Sequence, residues 1–284
     1  MPEFTVLGPV GARGPAGDVR LGAGATIRVV LAILVLRAGQ PVSRDALIDA
    51  LWPDDPPPSA RQTVESYVSR LRRALREAGL DGAVIDSEAV GYRLALDGYT
   101  IDRDHFDAFT AAGRDARSRG DAAAAVARFE EALALWRGPA LDGLADRLAL
   151  SADAAALDQA RLLVLEAWAE VKLDLGNAAE VVGRLQRETG RHPRRERLHE
   201  LLMLALYRCG SQAEALEHYA TVRRRLVDEL GIEPGRALRE MQERILRQDA
   251  ALDREPPKPA EATAGALPPA VGPPPAPRRE TRSR

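Results

Sequence analysis

The sequence predicts a mainly α chain, with a small α+β unit at the N-terminus followed by an all-α array of helical repeats. Three observations predict it. Residues 1–98 place three amphipathic segments between short apolar strands and end in two β-rich runs around a polar turn. From Asp102 onward strand signals stop, and Ala, Leu, Glu and Arg recur at helical spacing. Gly176-Asn177-Ala178-Ala179-Glu180 returns 34 residues later as Gly210-Ser211-Gln212-Ala213-Glu214, which is the tetratricopeptide period.

Taken in order, Glu3 to Leu7 and Asp18 to Leu21 read as strands separated by Gly/Pro turns. Ile27, Val30, Leu31, Leu34 and Val35 form one helical face, with Gly39 at the C′ position and Pro41 beyond. Ser43 caps a second helix that turns Leu47, Ile48, Leu51 and Trp52 inward, and Pro53 ends it. Asp54-Asp55-Pro56-Pro57-Pro58 is a stiff, acidic connection. Ser59, with Gln62 three residues on, makes a capping box for a third helix that runs to about Ala78 and stops at Gly79. Ala83 to Ile85 and Gly91 to Leu96 then read as a hairpin around a turn from Ser87 to Val90.

The third helix is the most informative element. Val64, Val68, Leu71 and Leu75 fall in a stripe about 60° wide. The opposite face carries Thr63, Ser66, Ser69, Arg70 and Arg73, and Ser59 to Arg76 hold five Arg against one acid. Hydroxyls near the start and Arg further along suit a helix that enters a DNA major groove. A solvated basic face would look the same on a lone helix. The order strands, helix, helix, helix, hairpin decides for a winged helix-turn-helix, since a generic α+β core needs no Arg/Ser face on that helix.

Composition limits the alternatives. The net charge of −2 and pI of about 6.2 do not mark a nucleic-acid binder, and residues 1–98 hold 11 Arg against 12 acids. Contact with DNA must come from a local patch. The single cysteine, Cys209, excludes an internal disulfide and sits in an apolar helical pattern that reads as core. With four His and one Cys there is no metal-ligand or nucleophile constellation, so no catalytic residue, metal or cofactor is expected. There is no Gly-x-x-x-x-Gly-Lys-Ser/Thr loop for a nucleotide. No signal peptide is visible, and the longest apolar run, Val29 to Leu36, is far short of a span. A soluble cytoplasmic protein with no membrane partner is expected.

Ser43-Arg44-Asp45-Ala46-Leu47-Ile48-Asp49-Ala50-Leu51-Trp52-Pro53, Tyr67-Val68-Ser69-Arg70-Leu71-Arg72-Arg73-Ala74-Leu75 and Gly91-Tyr92-Arg93-Leu94 resemble the OmpR-type winged helix. More narrowly, they resemble the version in the Streptomyces antibiotic regulatory protein family. The resemblance implies base-facing roles for Thr63, Ser66, Tyr67 and Arg70, and phosphate contacts from Arg72 and Arg73. By helical geometry Tyr67 and Arg72 lie on flanks, where they suit edge or backbone contacts. Ser69 lies on the same DNA-facing surface, and Gln62 belongs to it unless the capping box holds it. Two departures stand out: the first helix keeps only Arg28 at its start, and the wing tip Asp86-Ser87-Glu88 is acidic. Arg93 is the remaining basic candidate near the wing.

Beyond residue 98 the repeat continues. Val181 and Leu185 align with Ala215 and Tyr219, and Gly120-Asp121 with Ala125, Phe129 and Leu133 makes a third, out-of-step copy. Such pairs bury their apolar faces only by stacking, so Phe129, Trp136, Trp168 and Tyr219 read as core. The Arg191 to Arg197 run reads as a solvated helix start, with a DNA or domain contact as the alternative. Ala134-Leu135-Trp136-Arg137-Gly138-Pro139-Ala140-Leu141 and Asp228-Glu229-Leu230-Gly231-Ile232-Glu233-Pro234-Gly235 resemble landmarks of the bacterial transcriptional activation domain. Residues 254–284, with nine prolines and an Arg-rich end, read as a disordered tail or linker.

The expected division is therefore a DNA-binding domain over 1–98, an activation domain over 99–253 and a tail over 254–284. The resemblance implies an activator of secondary-metabolite genes that binds direct repeats of double-stranded DNA, as a homodimer or tandem pair. It also implies contact with RNA polymerase holoenzyme, through the loop bearing Asp54 and Asp55. Two alternatives stay open: a repeat-protein adaptor with weak DNA binding, or the N-terminal regulatory segment of a larger signalling ATPase.

Overall fold

The computed structural model describes residues 3–22, 24–80, 85–95 and 98–253. The expected strand positions Ala83, Val84 and Leu96 and the tail 254–284 lie outside the described residues. The N-terminal part runs β1 (Glu3–Thr5), β2 (Gly11–Gly14), β3 (Gly17–Asp18), α1 (Ala25–Leu36), β4 (Val42–Ser43), α2 (Arg44–Leu51), α3 (Ala60–Glu77), β5 (Ile85–Ser87) and β6 (Gly91–Leu94). Among the described residues two sheets form, in the orders β3-β2-β1-β7, where β7 is Thr100–Ile101, and β4-β6-β5. The winged helix-turn-helix and the repeats are both present, joined by one continuous core.

Several local expectations change. β2 is a strand where turns were expected, because Phe4 pairs opposite Ala12 and supplies the order that Gly-Ala-Arg-Gly lacks by itself. β3 ends at Asp18, and Val19 and Leu21 stay buried on irregular chain. The helix α1 is buried well beyond its predicted face, adding Val29, Ala32 and Leu36, since it lies among α2, α3 and β6. Gly39 adopts φ +77 two residues past the C-cap Arg37. Its N–H goes to the Leu94 carbonyl at 3.0 Å, tying the end of α1 to the hairpin.

Ser43 does cap α2, accepting from the Ala46 N–H at 3.0 Å. The capping box at Ser59 and Gln62 does not form. Ser59 stands at the N-cap with ψ 7 and makes no side-chain cap bond, because a turn closed by Ala60 N–H on the Pro57 carbonyl already holds it near helical geometry. Thr63 uses its hydroxyl instead, donating to the Ser59 carbonyl at 3.0 Å.

Strand β7 (Thr100–Ile101) was not expected; it lies parallel to β1, with Phe4 opposite Ile101. Helices α4 (Asp102–Ser118), α5 (Ala122–Ala134), α6 (Leu148–Asp174), α7 (Ala178–Arg191), α8 (Glu196–Arg208), α9 (Gln212–Leu230) and α10 (Arg236–Leu246) follow. The repeat period has a backbone cause. Gly120, Gly176 and Gly210 adopt φ +80, +82 and +79 just after α4, α6 and α8. In each turn the next residue's N–H returns to a carbonyl five positions back: Asp121 to Ala116, Asn177 to Lys172 and Ser211 to Leu206. These are Schellman turns, which need the left-handed conformation that glycine adopts without strain. Val181, Leu185, Ala215 and Tyr219 are all buried, as are Phe129, Trp136 and Trp168.

Two expectations in this half are corrected. Cys209 is exposed, because α8 ends at Arg208 and the chain turns away before another apolar layer can cover it. The Arg run is not simply solvated. Arg195 forms a two-bond pair with Glu166 at 2.7 and 3.1 Å, and Arg197 bridges Glu170 and Glu200 at 2.6 Å each. The pairs with Glu166 and Glu170 join the start of α8 to α6, a contact that charge spacing along one helix does not reveal. No helix among the described residues is long and apolar enough to cross a membrane.

The two halves are linked by backbone. The Asp102 carboxylate accepts from the Val6 and Leu7 N–H groups. The loop after α5 runs alongside the segment that follows β1, where Arg137, Leu141 and Asp142 donate N–H bonds to the Leu7, Val6 and Gly8 carbonyls. Arg37 pairs with Asp153 at 3.2 Å across the same junction.

Candidate nucleic-acid interface

The geometry of α3 follows from its pattern. Val64, Val68, Leu71 and Leu75 are fully buried, so the helix can present only its other side. There Gln62, Ser66, Ser69, Arg70 and Arg73 are exposed, while Thr63, Tyr67 and Arg72 on the flanks are half-buried. Among the described residues no side-chain hydrogen bond or ion pair engages Gln62, Ser66, Ser69 or Arg70. Arg73 reaches Glu77 only at 3.9 Å, with both side chains exposed. From Gln62 to Arg73 the face is about 17 Å long at helical rise, which matches about five base pairs.

Both ends of α3 are braced. Arg61 reaches Asp45 of α2 at 3.4 Å near the start. At the far end the N-terminal hairpin caps the helix, as Ala16 donates its N–H to the Ala78 carbonyl at 3.0 Å. A Cβ at Gly14 would stand 2.1 Å from that carbonyl oxygen, so only glycine permits the approach. The Gly14-Pro15-Ala16-Gly17 turn was the available sequence signal, but nothing in it names the helix end it covers.

The wing is the β5–β6 hairpin, with Ile85 opposite Leu94 and Ser87 opposite Tyr92. Asp86 and Ser87 belong to the strand, and the exposed tip is Ala89 and Val90. β4 completes the sheet, with Val42 opposite Tyr92. The acidic wing neutralises its own base: Arg93 lies 2.8 Å from Glu88 and 3.5 Å from Asp86. Arg72, for which the resemblance implies a phosphate contact, has partners within the chain. Its guanidinium turns to the wing, donating to the Ile85 carbonyl at 2.9 and 2.7 Å and to Ser87 Oγ at 2.9 Å. Asp54 and Asp55 are exposed on the connection between α2 and α3.

Comparison with known proteins agrees with this architecture. A family model described as "Transcriptional regulatory protein, C terminal" matches residues 23–94, and one described as "Bacterial transcriptional activator domain" matches residues 101–246. The regulatory protein AfsR of Streptomyces coelicolor is 42% identical over 269 residues, covering 94% of this chain and 26% of AfsR. The regulatory protein DnrI of Streptomyces peucetius is 38% identical, covering 84% of this chain and 90% of DnrI. A solved structure of Mycobacterium tuberculosis EmbR in complex with a low affinity phosphopeptide superposes with a TM-score of 0.79 at 40% identity. It covers 87% of this chain and 65% of that one. The chain thus spans about a quarter of AfsR and under two thirds of EmbR, but most of DnrI. With both domain types matched in sequence and in fold, the chain belongs to the Streptomyces antibiotic regulatory protein family of transcriptional regulators.

Proposed function

We propose that this chain is a sequence-specific activator that places α3 in the major groove of double-stranded DNA. The observation that carries the reading is the exposed face of α3, where Gln62, Ser66, Ser69 and Arg70 have no partner among the described residues while every apolar position is buried. Such unengaged donors and acceptors suit base edges, and Arg70 suits the paired acceptors of a guanine. Thr63 and Tyr67 border this face, and Arg73 fits a phosphate. Arg93, paired within the wing, contributes little.

Two copies bind direct repeats in tandem, with centres about 10–11 base pairs apart or a multiple, so that both reading helices meet the same side of the duplex. The loop with Asp54 and Asp55 recruits RNA polymerase holoenzyme: its charge repels phosphate, and its three prolines lower the entropy lost on docking. The genes controlled form a secondary-metabolite cluster. The self-paired acidic wing supports a second reading, in which intrinsic DNA affinity is weak and the chain serves as the front segment of a longer regulator.

Gel shifts against DNA upstream of neighbouring genes, scanned over salt, separate the two. Arg70→Ala is expected to weaken specific binding by about 1–3 kcal/mol and to relax preference at one base pair. Wild-type affinity in that variant would remove α3 as the reader. Asp54→Ala combined with Asp55→Ala should leave operator affinity within about 0.5 kcal/mol while cutting run-off transcription with purified polymerase. Full transcription with binding intact would refute the polymerase contact.

A further inference from the structure

We propose that Arg72 is a positioning residue that sets the angle of the wing against α3, and that it does not act by neutralising a DNA phosphate. The inference rests on the DNA-binding reading for its functional consequence but not for its geometry. Arg72 commits Nε and Nη2 to the Ile85 carbonyl and Nη2 also to Ser87 Oγ. A planar guanidinium can meet one strand in this way through several fixed donors, and an ammonium cannot. The guanidinium also lies over the buried Tyr92 ring, 5.9 Å from its centroid.

A second guanidinium completes the clamp. Arg44, the first residue of α2, lies over the same ring at 5.1 Å. Its Nη1 donates to the Ala89 carbonyl at 3.3 Å, and its backbone N–H donates to the Val90 carbonyl at 3.1 Å. The base of the hairpin is therefore held from α3 and its tip from α2, with both cations over the Tyr92 ring, which attracts them. The charged side chains of the wing itself, Asp86, Glu88 and Arg93, pair with one another. The two helices thus add to β4 in setting the direction of the wing.

A salt titration distinguishes positioning from charge neutralisation. A phosphate ligand, once removed, lowers the slope of log affinity against log salt by about 0.9. We expect Arg72→Ala and Arg72→Lys both to weaken operator binding about tenfold, the scale of one charge-assisted hydrogen bond, with the slope unchanged. Tyr92→Leu should behave alike, and Tyr92→Phe should retain wild-type affinity. A lowered slope in Arg72→Ala, with binding restored by Arg72→Lys, would overturn the proposal.

Hydrogen exchange on the free protein provides a reading independent of DNA. Peptides covering residues 85–94 should exchange faster in both Arg72 variants, while those covering α3 stay protected. Unchanged exchange across 85–94 would also overturn the proposal. If the wild-type protein binds no operator but the wing loosens as expected, the DNA reading fails and the clamp stands.

Discussion

Asp102→Ala is expected to lower the unfolding free energy by about 3–5 kcal/mol, chiefly because it orphans two buried backbone N–H groups. The carboxylate is 2% exposed. It accepts from the Val6 N–H at 2.9 and 3.1 Å and from the Leu7 N–H at 3.1 Å, and Arg137 lies 2.7 Å away. Val6 and Leu7 are fully buried, so both N–H groups lose their protein acceptor. Each orphaned N–H costs about 1–3 kcal/mol. Arg137 is half-exposed and its own loss adds little. Asp102→Asn retains one acceptor oxygen and should recover part of the loss. Urea denaturation followed by far-UV circular dichroism measures all three proteins. A change below about 1 kcal/mol in Asp102→Ala would show that the junction relaxes around the gap. Because this carboxylate holds the first strand to the first repeat helix, the wild-type protein should unfold in one transition and the variant in two.

Gly91→Ala should cost about 3 kcal/mol, at the upper end of overpacking effects. Glycine to alanine commonly stabilises by about 0.4–1 kcal/mol where the backbone accepts it. Here the added Cβ would stand 1.8 Å from the Val42 carbonyl oxygen, 2.7 Å from its carbon and 2.8 Å from Ser43 Cα. All three are backbone atoms, so no rotamer change can clear the way. β6 must separate from β4, which displaces Tyr92 and with it the wing. On the proposed function, operator affinity should fall about tenfold or more under conditions where the variant is still folded. Thermal melting and gel shifts on the same preparation test this, and wild-type values in both would disprove the close approach. The Gly91-Tyr92-Arg93 pattern was legible in the sequence as a strand start, but the reason for its glycine was not.

What a single stretch of chain can decide was legible. The burial of Val64, Val68, Leu71 and Leu75 follows from helical spacing alone. The recurrence of Gly176 and Gly210 follows from a turn that needs left-handed backbone. Ser43 caps α2 because the accepting hydroxyl and the donating Ala46 N–H lie within three residues. These contacts are local, so periodicity and turn chemistry report them.

The tertiary structure decided whatever joins distant residues. Asp102 and Val6 are 96 positions apart, and β7 is a strand because β1 lies beside it. Arg72 faces the wing because the Ile85 carbonyl is within reach, although its helical position suits a phosphate equally well. Arg195 is drawn from solvent by Glu166 on another helix. Cys209 continues an apolar stripe and is still exposed, because it is the C-cap residue just past the last turn of α8. The sequence by itself determined which faces must be buried and where the chain must turn, since those depend on the spacing of neighbours. The partners of its charged and polar side chains were decided only by folding, since hydrogen bonds act at about 3 Å and depend on which distant atoms arrive there.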